Sequence, residues 1–194
     1  MSPLPEAGRL PGTLEPRVRL VDVDPEVLEQ LLALALRDAE PDEVTPPLGS
    51  AEGWNAARLA WFGAYHRAAA AGLDGPAREK SWAVLVAGGV AGSVRLKRAG
   101  PDTAETGIWL GRGFRGRGIG SAAIPLALTE ARTAGLLRVV ANTTQRNRGA
   151  QRILAACGAR LTFDGDAVAA VVVLDPVDKS GAAPEAEHVP RAGG

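Results

Sequence analysis

Gly107-Ile-Trp-Leu-Gly-Arg-Gly-Phe-Arg-Gly-Arg-Gly-Ile-Gly-Ser121 is the stretch on which the reading of this chain turns. It opens as an apolar strand, passes through alternating glycines and arginines, and runs into Ile119 to Arg132, which has the pattern of a helix. A strand that delivers a glycine-rich turn to a helix N-terminus presents convergent backbone N–H groups, close approach and a favourable dipole to an anion. The stretch therefore predicts a phosphate site.

The rest of the composition narrows which kind. The chain has 194 residues, enough for one domain with a full core. Its 22 basic and 22 acidic residues cancel, which argues against a dedicated nucleic-acid partner, since such proteins carry a basic excess. Cys157 is the single cysteine, so an internal disulfide and a cysteine-based zinc site are both excluded. His66 and His188 are far apart in sequence, and no metal is expected. Met1 to Arg9 contains Pro3, Pro5 and Glu6 without an apolar core, unlike a signal peptide. No stretch is apolar over the length of a membrane span. The expectation is a cytoplasmic protein, monomeric or homodimeric, with no membrane partner.

Outward from the glycine stretch, the chain is expected to divide into a disordered segment at 1–15, one domain at 16–175 and a polar, disordered tail at 176–194. Val18 to Val23 alternates as a strand does. Asp24-Pro25-Glu26 supplies an N-cap, a proline at the first helical position and an early acid. The helix they open is expected to end near Asp38, followed by a loop from Glu40 to Ser50. A second, aromatic helix is expected from Ala51 to Ala71, carrying Trp54, Trp61, Phe62 and Tyr65. Strands follow: Trp82 to Ala87, a turn at Gly88-Gly89, Val90 to Arg98, and Thr103 to Leu110. After the glycine loop and its helix come a strand at Arg138–Asn142, a short helix from Asn147 to Cys157 closed by Gly158, and a hairpin of Arg160–Phe163 with Val168–Leu174. Pro125, inside the helix after the loop, removes one N–H and predicts a kink there. The order is β-α-α-β-β-β-α-β-α-β-β. It implies a mixed α/β fold: a mostly antiparallel sheet with one parallel pair, formed by the strands on either side of the helix after the loop.

Three phosphate motifs compete for the loop. A P-loop needs a Gly-Lys pair, which the chain lacks. Gly111-Arg-Gly113-Phe-Arg-Gly116 matches the dinucleotide pattern G-x-G-x-x-G, but it follows antiparallel strands, and the next strand ends in Asn142-Thr143-Thr144 without the ribose-binding acid. A flexible, RNA-binding-like Arg-Gly segment is a further alternative, at odds with a single copy set between two patterned elements. The third motif is Arg115-Gly116-Arg117-Gly118-Ile119-Gly120, which fits R/Q-x-x-G-x-G/A.

That motif resembles the pyrophosphate loop of the GCN-related N-acetyltransferases, the GNAT superfamily. Asn147, with Arg152-Ile-Leu-Ala-Ala-Cys-Gly158, is similar to the family's second segment. Ala104-Glu-Thr-Gly-Ile-Trp-Leu110 and the Asn147 helix are most similar to its Rim-type, ribosomal-protein branch. The resemblance covers about residues 17 to 174, with its most specific part from Ala104 to Gly158. It implies acetyl-CoA as co-substrate and direct transfer of the acetyl group to a primary amine, either a peptide N-terminus or a small amine. It places the pyrophosphate on Arg115, Gly116, Arg117, Gly118, Ile119, Gly120 and Ser121. It also implies a bulged, splayed strand before the loop, where Trp109, Leu110 and Arg112 meet the pantetheine arm and the thioester; Asn142 and Asn147 complete the cofactor side.

The chemistry sets three demands. The amine must shed a proton, with a pKa of about 10 for an alkylamine and about 8 for an α-amine. The carbonyl needs an N–H donor, and the leaving thiolate needs a proton. Glu105 is the candidate base, with a solvated strand carboxylate as the alternative. The family's usual acid, a tyrosine, falls at Leu154, and the serine of the Rim-type branch falls at Ala150; water, Asn142 or Asn147 remain for that role. These departures keep a non-catalytic acyl-CoA-binding module open as a second reading, and a nucleotide-dependent oxidoreductase as a third. Cys157 is expected to be structural, and His66 to lie on a helix surface.

Overall fold

The computed structural model describes residues 17–48 and 53–175; the expectations for 1–15 and 176–194 lie outside these residues. The sheet begins with β1 (Val18–Asp22). Helix α1 (Pro25–Asp38) opens as its sequence predicts, with Asp24 Oδ1 accepting from the Val27 N–H at 2.8 Å. The expected loop after it contains a four-residue helix, α2 (Pro41–Val44). Its signals are short-range: Pro41 at the first position, and Glu43 Oε2 accepting from the Glu40 N–H at 2.9 Å. A turn this short has no helical periodicity to read. Helix α3 (Ala56–Ala69) is shorter than expected because Asn55 caps it, accepting from the Arg58 N–H at 3.0 Å.

Strands β2 (Glu79–Val86), β3 (Gly89–Arg98) and β4 (Thr103–Leu110) form an antiparallel meander. The β2–β3 turn is Ala87-Gly88 rather than Gly88-Gly89. Both turn residues have positive φ, 51° and 84°, as a two-residue hairpin turn of the primed type requires. The turn shifts back by one because Gly89 pairs with Val86 and so belongs to β3. Helix α4 (Ile119–Thr133), strand β5 (Arg138–Thr144), helix α5 (Arg148–Ala156) and the hairpin β6 (Arg160–Asp164) with β7 (Ala167–Val173) complete the chain. Gly158, at φ 79°, ends α5 as expected. Pro125 does not interrupt α4, which stays helical across it with the ring on the exposed side.

The seven strands run in the order β1-β2-β3-β4-β5-β7-β6. Only β4 and β5 are parallel, and they pair over Thr103–Glu105 with Arg138–Val140 and no further. Beyond that point β5 pairs with β7 alone, and Thr106–Leu110 keeps a strand neighbour on one side only. The fold class is as the sequence implied, a mostly antiparallel mixed sheet with one splayed parallel pair. The bulge, however, is not in β4, whose register with β3 is unbroken. It lies in β3, where Val84 pairs with Gly92 and Leu85 with Val90, leaving Ala91 extra.

Strand alternation divides the core between two faces. Trp82, Val84, Val94, Leu96 and Ala104 pack with Ile119, Ala123, Ile124, Ala127 and Leu128 of α4. Ala83 packs on the other face with Leu31 and Ala35 of α1 and Phe62 of α3. Gly92 is the tight point between β3 and β4. A β-carbon there would overlap the Trp109 carbonyl oxygen and stand 2.8 Å from Leu110 Cα, both backbone atoms. Gly92→Ala should therefore destabilise the fold by about 1–3 kcal/mol, the usual cost of overpacking a rigid site, read as a lower urea midpoint at unchanged slope.

Candidate active site

Glycine conformation shapes the loop after β4. A short 3-10 turn, Arg112–Phe114, leads to Gly116 and Gly118 with φ of 72° and 77°, a region that disfavours any side chain. At both positions a β-carbon would meet nothing within 4 Å, so backbone conformation is what selects glycine. Gly120 differs. It is buried in the first turn of α4, where a β-carbon would stand 3.0 Å from Ile153 Cδ1 of α5. The absent side chain at Gly120 lets α4 and α5 approach.

From Gly116 to Ser121, six consecutive N–H groups have no acceptor among the described residues. Gly118 caps α4 in the left-handed conformation with no side-chain bond. These are the uncompensated donors of a helix start, extended backwards by the loop. Of the predicted arginines, Arg117 alone is without an ion pair or hydrogen bond among the described residues. Arg115 donates through Nε to the Leu110 carbonyl at 2.9 Å and through Nη1 to Glu43 at 2.9 Å, while Arg112 donates to Glu40 at 2.6 Å. The two arginines thus tie the loop to α2. The Arg115 guanidinium holds the Glu43 carboxyl below its ordinary range.

Register puts Glu105, Gly107 and Trp109 on one face of β4, the face shared with Val140 and Asn142 of β5. Asn142 has no side-chain hydrogen bond among the described residues, and Asn147 caps α5, accepting from the Ala150 N–H at 3.1 Å. Leu154 and Ala150 carry no hydroxyl, and Leu154 is buried against Ala141 and Ala170. Cys157 sits at the C-cap of α5 with its thiol pushed up by burial, which fits a structural role.

On the Glu105 side of β4 lies an open cleft of about 660 Å³. Its walls include Glu43 from the α2 region, Trp61 and Tyr65 from α3, Glu79 from β2, and Arg95 and Lys97 from β3. Glu105 Oε1 accepts from Arg95 Nη2 at 2.6 Å. Trp61 and Tyr65 stack at 5.0 Å with planes 12° apart. Tyr65 donates to the buried Glu79 at 2.7 Å, and burial followed by that carboxylate pushes the phenol far up, so it stays protonated. Sequence reasoning missed Glu79 and Arg95. The available signal was the alternation Ser93, Arg95, Lys97, which gives β3 one polar face over half its length.

His66 is also relocated. It is 1 % exposed rather than on a surface, edge-on to Phe62 and Tyr65, with Nδ1 3.0 Å from Ser81 Oγ. The one-dimensional pattern of α3 is apolar nearly all round, so it could not tell this face from the outer one.

Comparison with known proteins follows from this geometry. A model described as the acetyltransferase (GNAT) domain matches residues 17–160. No curated protein matches by sequence. Among solved structures, the ribosomal-protein α-N-acetyltransferase RimL, in complex with coenzyme A, superposes with a TM-score of 0.63 at 17 % identity, covering 81 % of this chain and 94 % of its own. Mycobacterium smegmatis RimJ gives 0.62 at 19 %, covering 80 % and 81 %. The spermidine/spermine N-acetyltransferase SpeG from Vibrio cholerae gives 0.59 at 16 %, covering 81 % and 94 %. At these identities the likeness is one of fold.

The burial of His66 has a consequence in pH. Desolvation lowers its imidazole from 6.5 to about 4, so the folded protein keeps it neutral while the unfolded chain takes up a proton near 6.5. Its contribution is complete above pH 6.5 and lost as pH falls from 6.5 towards 4. The unfolding free energy from urea titrations should fall across pH 6.5 to 5, by at most about 1.4 kcal/mol per pH unit, and His66→Gln should flatten that fall.

Proposed function

The chain belongs to the GNAT acetyltransferase family, N-acetyltransferases that draw on acetyl-CoA, and from that premise we propose that its acceptor is a primary amine, a peptide N-terminus or a small amine, acetylated directly in a ternary complex. The observation that carries this reading is the run of six uncommitted N–H groups from Gly116 to Ser121, at the end of a strand that has parted from its parallel neighbour. In the proposed complex those N–H groups, with Arg117 and the Ser121 hydroxyl, hold the pyrophosphate through charge-assisted bonds. Arg112 and Arg115 exchange Glu40 and Glu43 for phosphate oxygens. Both ion pairs are at least one-third exposed on each side, and pairs of that kind are worth about 0–1 kcal/mol, so the exchange costs little.

The unpaired edge of Trp109 and Leu110 takes the pantetheine arm, so that a backbone N–H meets the thioester oxygen as it gains charge. The amine approaches from the cleft, on the other side of the same strand. Glu105 takes its proton, directly or through a water. The C–S bond breaks as the amide C–N bond forms, and the thiolate takes a proton from water. The side-chain NH2 of Asn142 or Asn147 offers the sulfur a hydrogen bond, not a proton.

Both RimL, named for a ribosomal-protein substrate, and SpeG, named for spermidine and spermine, share this fold. The cleft favours an acceptor of modest positive charge. Of its carboxylates, Glu79 and Glu105 keep their cationic partner, and only Glu43, released when Arg115 turns to phosphate, is free for an ammonium group.

Calorimetry with acetyl-CoA tests the donor site. Gly118→Val forces a β-branched residue to φ 77° and should weaken binding at least about tenfold; unchanged affinity overturns the loop assignment. Glu105→Gln should lower kcat/KM more at neutral than at high pH, where the free amine is abundant, and an unaltered profile removes Glu105 as the base.

A further inference from the structure

The cleft contains a line of polar side chains that the transfer chemistry does not by itself require. Tyr65 Oη donates to Glu79 Oε1 at 2.7 Å. Arg95 Nη1 reaches the same oxygen at 3.4 Å, and Arg95 Nη2 donates to Glu105 Oε1 at 2.6 Å. One guanidinium on β3 therefore serves two carboxylates, one on each neighbouring strand.

The register makes this possible. Arg95 stands opposite Ser81 on β2 and Gly107 on β4, two residues from Glu79 and from Glu105 respectively. A β-carbon at Gly107 would stand 3.1 Å from Arg95 Nε, so glycine there lets the guanidinium lie across β4. The two ends of the bridge differ in environment. The Glu79 side chain is 8 % exposed, and a desolvated carboxylate depends on its partners to stay charged. Glu105 is 36 % exposed and faces the cleft. A planar fork with fixed donor directions suits such a bridge, where a lysine ammonium would not.

We propose that Arg95 is a positioning residue for acetyl transfer: anchored on the buried Glu79–Tyr65 pair, it holds Glu105 by Oε1 and leaves Oε2, which has no partner among the described residues, to take the acceptor's proton. The inference rests on the reading of Glu105 as base. Because the guanidinium is shared, Glu79 offsets part of the positive charge that Glu105 feels. The other charged or titratable groups around the cleft are accounted for. Lys97, opposite Glu105 in the β3–β4 register, lies 3.9 Å from Glu79 Oε2, Arg98 is paired with Asp74, Glu43 from α2 pairs with Arg115 until phosphate displaces it, and His66 from α3 is neutral.

The test separates kcat from KM for a short peptide with a free α-amine, using the full chain. Arg95→Met is expected to lower kcat on the order of tenfold, and Arg95→Lys, which keeps the charge but not the fork, to restore little of it. Glu79→Gln, which removes the anchor and leaves the guanidinium, is expected to lower kcat in the same way, and Tyr65→Phe to lower it less. Acetyl-CoA binding by calorimetry should be unchanged in all four, which separates the tether from the donor site. In a Glu105→Gln background the loss from Arg95→Met should vanish, because the tether then has no base to hold. An unchanged kcat in folded Arg95→Met, or an equal loss with and without Glu105, overturns the proposal. If Arg95→Met does not fold, Glu79→Gln measured with and without Glu105 decides it in the same way. A Glu105→Gln variant that keeps the wild-type pH profile overturns the base reading, and the catalytic role of the tether with it, while leaving the Arg95–Glu105 bond intact.

Discussion

The parting of β4 from β5 after Glu105 and Val140 is the constraint on which the rest of this structure depends. A parallel pair that continued to the strand ends would bury the edge of Trp109 and Leu110 and close the space beside it. Instead β4 stays registered with β3 up to Leu110, and Gly111 adds a bond to the Ala91 carbonyl at 3.0 Å. The bulge at Ala91 and the close approach at Gly92 both lie at this end of the sheet. Bulges increase local twist, and Gly92 lets β4 press onto β3 where any side chain would hold it off. The splay, the free backbone edge and the direction in which the glycine loop leaves the sheet are parts of one backbone arrangement.

Two kinds of charge share the site, and burial separates their roles. Near the loop, Arg112 and Arg115 are exposed and hold acids on α2 through pairs that are easily exchanged. On the cleft floor, the buried Glu79 holds Tyr65 and the half-buried Arg95 by hydrogen bonds, so the network has one fixed anchor. Mobile charge suits a group that must change partners when a phosphate arrives. Fixed charge suits one that must hold a carboxylate still. The same β4 strand separates the two, with its edge toward the glycine loop and the Glu105 face toward the open cleft.

Local rules wrote much of this into the chain. Asp24 and Gly158 cap their helices as their positions predict, because capping is a matter of one or two residues and a nearby N–H. The glycine loop was legible for the same reason, since positive φ at Gly116 and Gly118 is a backbone property that composition reports directly. Readings failed where a residue's environment comes from elsewhere in the fold. His66 is conditioned by Ser81 and Phe62, and the hairpin turn by the pairing of Val86 with Gly89.

By itself, then, the sequence determined the mixed sheet with its single parallel crossover, the glycine-rich loop at the start of α4, and Glu105 on the strand that leads into it. Periodicity, capping and glycine conformation act within a few residues and leave their mark in order along the chain. Only the tertiary structure decided that Arg95 bridges Glu79 to Glu105, that Arg112 and Arg115 reach back to α2, and that His66 is neutral and enclosed. Those facts depend on strand register and on burial between residues as many as 72 positions apart, and neither is encoded in the spacing of residues along a single element.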